Sequence, residues 1–213
     1  MNLANFISKI LRLTKKAKFK FDKLYFFKID LNDFSFDLRK NDIKIKIAEN
    51  IQDLKEIISE RGATYINRYE KWFKRNYICY YAIIDNKGIG LLWLNNTNIV
   101  ELLFGYKEKV KDRNTEAWVI DGYVLKEYRG YGAYKLIWHR VLYEAKENGI
   151  KYIYAAIYNS NINSFKIHFK LGMNNNVYKI LYFFRIIWIK IYLFKYFPRF
   201  QNIKELRKDI RFD

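Results

Sequence analysis

Val124-Leu125-Lys126-Glu127-Tyr128-Arg129-Gly130-Tyr131-Gly132-Ala133 leaves an apolar, strand-like run at 117–125 (AWVIDGYVL) and enters a helical pattern over 133–147. A junction of this kind presents unpaired backbone N–H groups at the positive end of a helix dipole. Gly130 and Gly132 let the backbone approach a bulky anion, and Arg129 adds a fixed positive charge. Those are the requirements of a diphosphate site. Two glycines before a helix also serve a plain turn, so the flanking chain has to decide.

Toward the N-terminus the pattern is regular from residue 43. Residues 43–48 (IKIKIA) alternate as a half-buried strand. Asn50 is placed to cap a helix whose inner face carries Ile51, Leu54, Ile57 and Ile58 and which stops near Gly62. A second helix carries Tyr65, Ile66, Tyr69, Trp72 and Phe73. Residues 77–84 read as a strand, Asp85-Asn86-Lys87-Gly88 as a hairpin turn, 89–95 as the return strand and 106–116 as a polar loop. Toward the C-terminus, the helix ends at Asn148-Gly149, 152–158 (YIYAAIY) is a strand, and 162–171 a short helix ending at Gly172. Residues 176–195 read as one or two strands, with a surface helix as the competing assignment. Strand, two helices, antiparallel strands, then strand-loop-helix-strand-helix describe an α/β fold with a mixed, mostly antiparallel central sheet and helices on both faces.

The central loop resembles the coenzyme A signature of the GNAT superfamily of N-acyltransferases, Gln/Arg-x-x-Gly-x-Gly/Ala between that family's fourth strand and third helix. Two registers fit. From Arg129 it is Arg-Gly-Tyr-Gly-Ala-Tyr, with Tyr134 where Gly or Ala is expected; from Glu127 it is Glu-Tyr-Arg-Gly-Tyr-Gly, with Glu127 in place of Gln or Arg. A second block, Asn161-Ile-Asn-Ser164-Phe-Lys-Ile-His168-Phe-Lys170-Leu171-Gly172-Met173, resembles the family's element after its fifth strand. The resemblance is firm over 117–173 and plausible over 41–116. It implies a sheet splayed between the family's strands 4 and 5, and acetyl-CoA or another acyl-CoA as co-substrate for transfer to an amine acceptor. It places the cofactor at Tyr123, Val124, Leu125, Arg129, Gly130, Tyr131, Gly132, Ala133 and Tyr134, with Asn161 and Ser164 along the pantetheine arm. A backbone N–H of the Tyr123–Leu125 strand end would polarise the thioester carbonyl.

In many relatives a Tyr of the second block protonates the departing thiolate; His168 stands there in this sequence. An imidazole near its usual pKa of roughly 6.5 suits that task, and packing against the cofactor arm is its equal alternative. His139, the other histidine, is expected on a helix surface. Asp121 is a carboxylate in an apolar strand, which demands an explanation: a general base, or a hydrogen-bonded structural group. Glu116 and Glu101 are rivals for the base, and a bridging water is the further alternative. Two distant histidines and one cysteine offer no zinc cluster, and neither a GxxxxGK[ST] phosphate loop nor a GxSxG elbow occurs.

The 213 residues suit one domain with extensions: 1–40 as an N-terminal extension, 41–197 as the acyltransferase domain, and 198–213 as a basic tail. Net charge is +18, densest at the ends, with 12 Lys/Arg against 5 Asp/Glu in residues 1–46 and 8 against 3 in 185–213. Such a field favours anionic partners. Residues 2–16 read as a basic amphipathic helix, which either rests on an anionic membrane surface or packs on this protein or a second copy. The Arg/Lys-studded segment 180–199 could join it there. Nucleic acid is not the expected partner, since no RNA-binding signature stands out. Cys79 alone permits no intrachain disulfide, and Lys9 and Arg12 interrupt any secretory signal. The expectation is a cytoplasmic enzyme, either free or peripheral at the inner membrane face.

Overall fold

The computed structural model describes residues 20–34, 42–102, 106–171, 177–186 and 189–201. The helix expected at 2–16 and the tail beyond 201 lie outside them. The chain divides into two compact units, residues 28–155 and the described parts of 1–27 and 156–213.

The larger unit carries a sheet ordered β2 (Lys44–Ile47), β3 (Ile78–Ile84), β4 (Lys87–Asn95), β7 (Glu116–Val124) and the first residues of β8 (Tyr152–Tyr158). Neighbours are antiparallel except β7 with β8, which run parallel. The β3–β4 hairpin closes on Asp85 (φ 47°) and Asn86 (φ 61°), both left-handed, so the turn is two residues long and Lys87 and Gly88 already belong to the strand. Paired left-handed residues match the natural strand twist. Part of the expected polar loop is ordered differently: β6 (Lys107–Lys109) pairs with β5 (Ile99–Glu101) as a small hairpin.

Helices cover both faces of this sheet. After Asn50, whose side chain accepts from Gln52 N–H, a 3-10 turn (Ile51–Leu54) leads into α1 (Lys55–Arg61), and α2 (Thr64–Lys74) follows. Their apolar stripe, with Leu54, Ile57, Ile58 and Tyr69, packs on Cys79, Leu91 and Trp93. Trp93 is fully buried, with Tyr69, Trp72 and Phe73 at ring distances of 4.9–5.3 Å. Alternate residues of a strand face opposite sides, so Gly90 faces the other helix, α3 (Ala133–Glu147). A Cβ at Gly90 would lie 3.5 Å from Ile137 Cδ1. His139 of α3 departs from its expected place at the surface. It is only 4% exposed, because Phe34 lies over it at 5.7 Å.

In the smaller unit, β9 (Val177–Ile186) pairs antiparallel with β1 (Lys20–Asp30) and with β10 (Ile189–Gln201). The aromatic stretch after 176 is therefore a strand pair and not a surface helix, and Lys20–Asp30, within the expected extension, is a sheet strand. Helix α4 (Ile162–Lys170) sets Phe165 against Tyr25 and Phe27. Among the described residues no helix is long and apolar enough to cross a membrane.

Candidate active site

The decisive geometry is at the end of β7. The parallel ladder with β8 runs Glu116↔Tyr152, Ala117↔Ile153, Trp118↔Tyr154 and Val119↔Ala155, with no rung beyond. On its other edge β7 stays paired with β4 as far as Val124, but the register shifts: Leu94 faces Val119 and Trp93 faces Asp121, leaving Ile120 as the extra residue of a bulge. Ladder and register thus change at one place.

Antiparallel alternation then decides which amides are available. Leu125 N–H donates to Ile89 O at 2.9 Å. Bonded pairs recur every second residue, so Tyr123 and Asp121 also turn their backbone groups toward β4. Gly122 and Val124 turn theirs to the opposite edge, where the ladder with β8 has ended. Of the three residues expected to supply a polarising N–H, Tyr123 and Leu125 are corrected by this alternation. Of that run only Val124, together with Gly122, turns its amide to the open edge.

The loop that follows is open. Gly130 (φ 92°) and Gly132 (φ 83°) are left-handed, and a Cβ built at either meets nothing within 4 Å. Gly132 is the N-cap of α3. Tyr128 and Arg129 N–H groups close a tight turn onto Leu125 O and Lys126 O, whereas those of Gly130, Tyr131, Gly132 and Ala133 donate to no acceptor among the described residues. Four such donors at the start of a 15-residue helix are suited to a doubly charged anion. Arg129 folds back, its Nε donating to Val124 O at 3.2 Å and its guanidinium 5.6 Å from the Tyr123 ring. Tyr131 is 67% exposed beside the Tyr128 ring. The Tyr134 side chain does not line this opening; its ring lies on Gly122, and burial pushes its phenol up to about 12.

Asp121 is committed elsewhere. Arg61 Nη1 and Nη2 donate to Oδ2 and Oδ1 at 2.5 and 3.2 Å, and Tyr69 OH donates to Oδ2 at 2.9 Å. Arg61 also donates to the Tyr69 hydroxyl. Burial works against the Arg61 charge, but Asp121 more than offsets it and the guanidinium pKa is raised. A carboxylate held this way has no oxygen free of a donor, which argues against the general-base role. Neither rival replaces it: Glu116 accepts from Lys111 N–H and Tyr154 OH, and Glu101 pairs with Lys71 and Arg75.

In the smaller unit, Asn161 Oδ1 accepts from Ser164 N–H at 3.1 Å, capping α4. His168 is 2% exposed beneath Phe27, and its Nδ1 is 2.7 Å from Ser164 O, as a protonated Nδ1 donating to that carbonyl would be. Burial drives its pKa down to about 4, the Ser164 carbonyl opposing only in part. The ring is therefore neutral near pH 7 with its proton engaged. A neutral ring with its Nδ1 proton engaged fits the proton-donor role poorly.

Sequence reading missed Glu60. It accepts from Tyr123 OH at 2.5 Å and Lys126 N–H at 3.1 Å. The Tyr123 bond, helped by Lys126 and Arg129, holds its carboxyl below the usual range against the opposing effect of desolvation. It lines an open cavity of about 420 Å³ with Lys55, Glu56, Ser59, Lys87, Leu125 and Glu127. No local pattern marks Glu60 or Arg61, because their partners lie some sixty residues on.

Comparison with known proteins bears on this site. The family model described as acetyltransferase (GNAT) family matches residues 48–173. A functionally unknown conserved protein from Staphylococcus epidermidis ATCC 12228 is 15% identical with a TM-score of 0.51, over 92% of this chain and 68% of that one. The aminoglycoside N-acetyltransferase AAC(6')-Iy in complex with CoA is 17% identical with a TM-score of 0.50, over 65% and 91%. A tandem GNAT protein from the clavulanic acid biosynthesis pathway is 12% identical with a TM-score of 0.51, over 88% and 57%. At these identities the likeness is one of fold. No curated protein matches the sequence.

Proposed function

This chain belongs to the acetyltransferase (GNAT) family, and from that membership we propose that it moves an acyl group, acetyl first among them, from acyl-CoA to the amine of a small, polar acceptor of the amino-sugar kind. The observation that carries the reading is the run of four amides, Gly130 to Ala133, at the start of α3, which donate to no acceptor among the described residues. They would take the carrier's diphosphate, with the helix dipole adding to their field.

The acyl-CoA supplies an activated carbonyl and a thiolate leaving group. The outward amides of Gly122 and Val124 lie along the β7 edge, where an extended arm would pair as a strand does, and either N–H would then polarise the carbonyl. Fixed dipoles of this kind cost no reorganisation during reaction. The amine must arrive neutral to attack. With Asp121 engaged by Arg61 and His168 neutral, we assign the proton transfers to water. Glu60, ionised and oriented at the end of α1, offers a carboxylate to an acceptor ammonium before it loses its proton. The carboxylates lining its cavity suit a hydroxylated amine better than an acidic metabolite, despite the +18 net charge.

Free-thiol release from acetyl-CoA across a panel of amino sugars, aminoglycosides, polyamines and peptide N-termini tests the reading. Release stimulated by an amino sugar or aminoglycoside is expected. Stimulation only by peptide N-termini would move the acceptor to protein, and no stimulation by any amine would end the proposal.

A further inference from the structure

Asp121 ties three elements together. It belongs to β7, directly after the Ile120 bulge and directly before Gly122. Arg61, the last residue of α1, reaches it with two nitrogens, and Tyr69 of α2 reaches the same oxygen. The pair is well covered, Arg61 being 9% and Asp121 15% exposed at the side chain. Two rings hold the guanidinium flat, Tyr65 at 3.8 Å and Tyr123 at 4.6 Å, and Tyr123 is again a β7 residue. The chain turns sharply just past Arg61, at Gly62 (φ 100°), into α2. One cation therefore fixes the α1–α2 corner to both sides of Gly122.

We propose that Arg61 and Asp121 form a positioning pair that holds the β7 bulge so that the Gly122 and Val124 amides keep their aim along the unpaired edge. The inference rests on the acyl-transfer reading above. Its chemistry is geometric: a forked guanidinium on a carboxylate fixes angle as well as distance. Small displacements of an oxyanion donor are costly to the reaction and cheap to ground-state binding. The four amides that would hold the diphosphate are on the loop beyond and do not touch this pair, so binding of the carrier and the rate of transfer should respond separately.

Steady-state transfer is measured for the whole chain and for Arg61→Gln, Arg61→Lys, Asp121→Asn and the Arg61→Gln/Asp121→Asn double variant. Each is first checked for native near-ultraviolet dichroism. We expect kcat to fall by about tenfold or more in Asp121→Asn and Arg61→Gln while KM for acetyl-CoA moves by less than about twofold. The double variant should lose no more than the worse single variant, since the pair acts as a unit. Arg61→Lys, which keeps charge but not the fork, should recover only part of the rate; it also serves as the readout if the neutral variants do not fold. The acidic limb of kcat/KM against pH should survive in Asp121→Asn. Losing that limb would make Asp121 the general base and overturn the positioning role. Unchanged kcat in the folded variants, or losses that multiply, would overturn it alone. No thiol release by the wild-type chain would instead remove the acyl-transfer reading on which it rests.

Discussion

The ring of Tyr134 lies over Gly122: a Cβ built on Gly122 would stand 2.8 Å from Tyr134 Cε2 and 2.9 Å from its hydroxyl oxygen. Helix α3 is thereby locked onto the strand residue that turns its amide outward. Gly122→Ala should destabilise the protein by about 1–3 kcal/mol through overpacking. Tyr134→Ala should remove that penalty, so the double variant is more stable than the sum of the two single changes allows. Urea denaturation of the four proteins reads the coupling. Additive losses would show that the contact does not constrain the strand.

His168 gives a pH signature. Its folded pKa, about 4, lies below the ordinary value of 6.5 because the ring is buried. Below pH 6.5 the unfolded chain takes up a proton that the folded chain refuses. Stability is therefore complete above that pH and declines as pH falls toward 4, by on the order of 3 kcal/mol in all. His168→Phe should flatten the slope between pH 6.5 and 4 in chemical denaturation while leaving kcat at pH 7 within about twofold. A collapse of kcat in that folded variant would restore histidine as the proton donor.

Asn161 has two separable tasks. As the cap of α4, its side-chain oxygen can be replaced by Asp but not by Ala, so Asn161→Ala should cost about 1 kcal/mol and Asn161→Asp very little. If the amide nitrogen also donates to the carrier arm, Asn161→Asp will raise KM for acetyl-CoA with stability intact. An unchanged KM in Asn161→Asp would confine the residue to capping.

Much of this was legible in the sequence, and the reasons are local. Helix α3 begins and ends where Gly132 and Asn148-Gly149 predict, and Asn50 caps the turn that its position implies. Alternation marked β2, and the two family-like blocks fall at the start of α3 and over α4. What escaped depends on register or on distant partners. Nothing in AWVIDGYVL shows that Ile120 is a bulge, and without the bulge the outward amides cannot be assigned to Gly122 and Val124. Asp121 was singled out correctly as a carboxylate in need of a reason, but the reason, Arg61, is sixty residues away. The resemblance gives His168 the position of an acid, but it reports position along the chain and not burial. His139 looked exposed because Phe34, which covers it, belongs to a different element.

Whether the amides at the start of α3 hold the carrier is read by calorimetric titration of acetyl-CoA into the wild-type chain and into Gly132→Ala. Gly132 sits at φ 83° at the start of α3, in open space, so a methyl group there meets no neighbouring side chain but is strained by its own backbone, and relief of that strain reorients the amides. The account predicts one site per wild-type chain and binding weaker by about tenfold or more, near 1.4 kcal/mol, in the folded variant. No binding by the folded wild-type chain, or equal affinity in the two proteins, would contradict it.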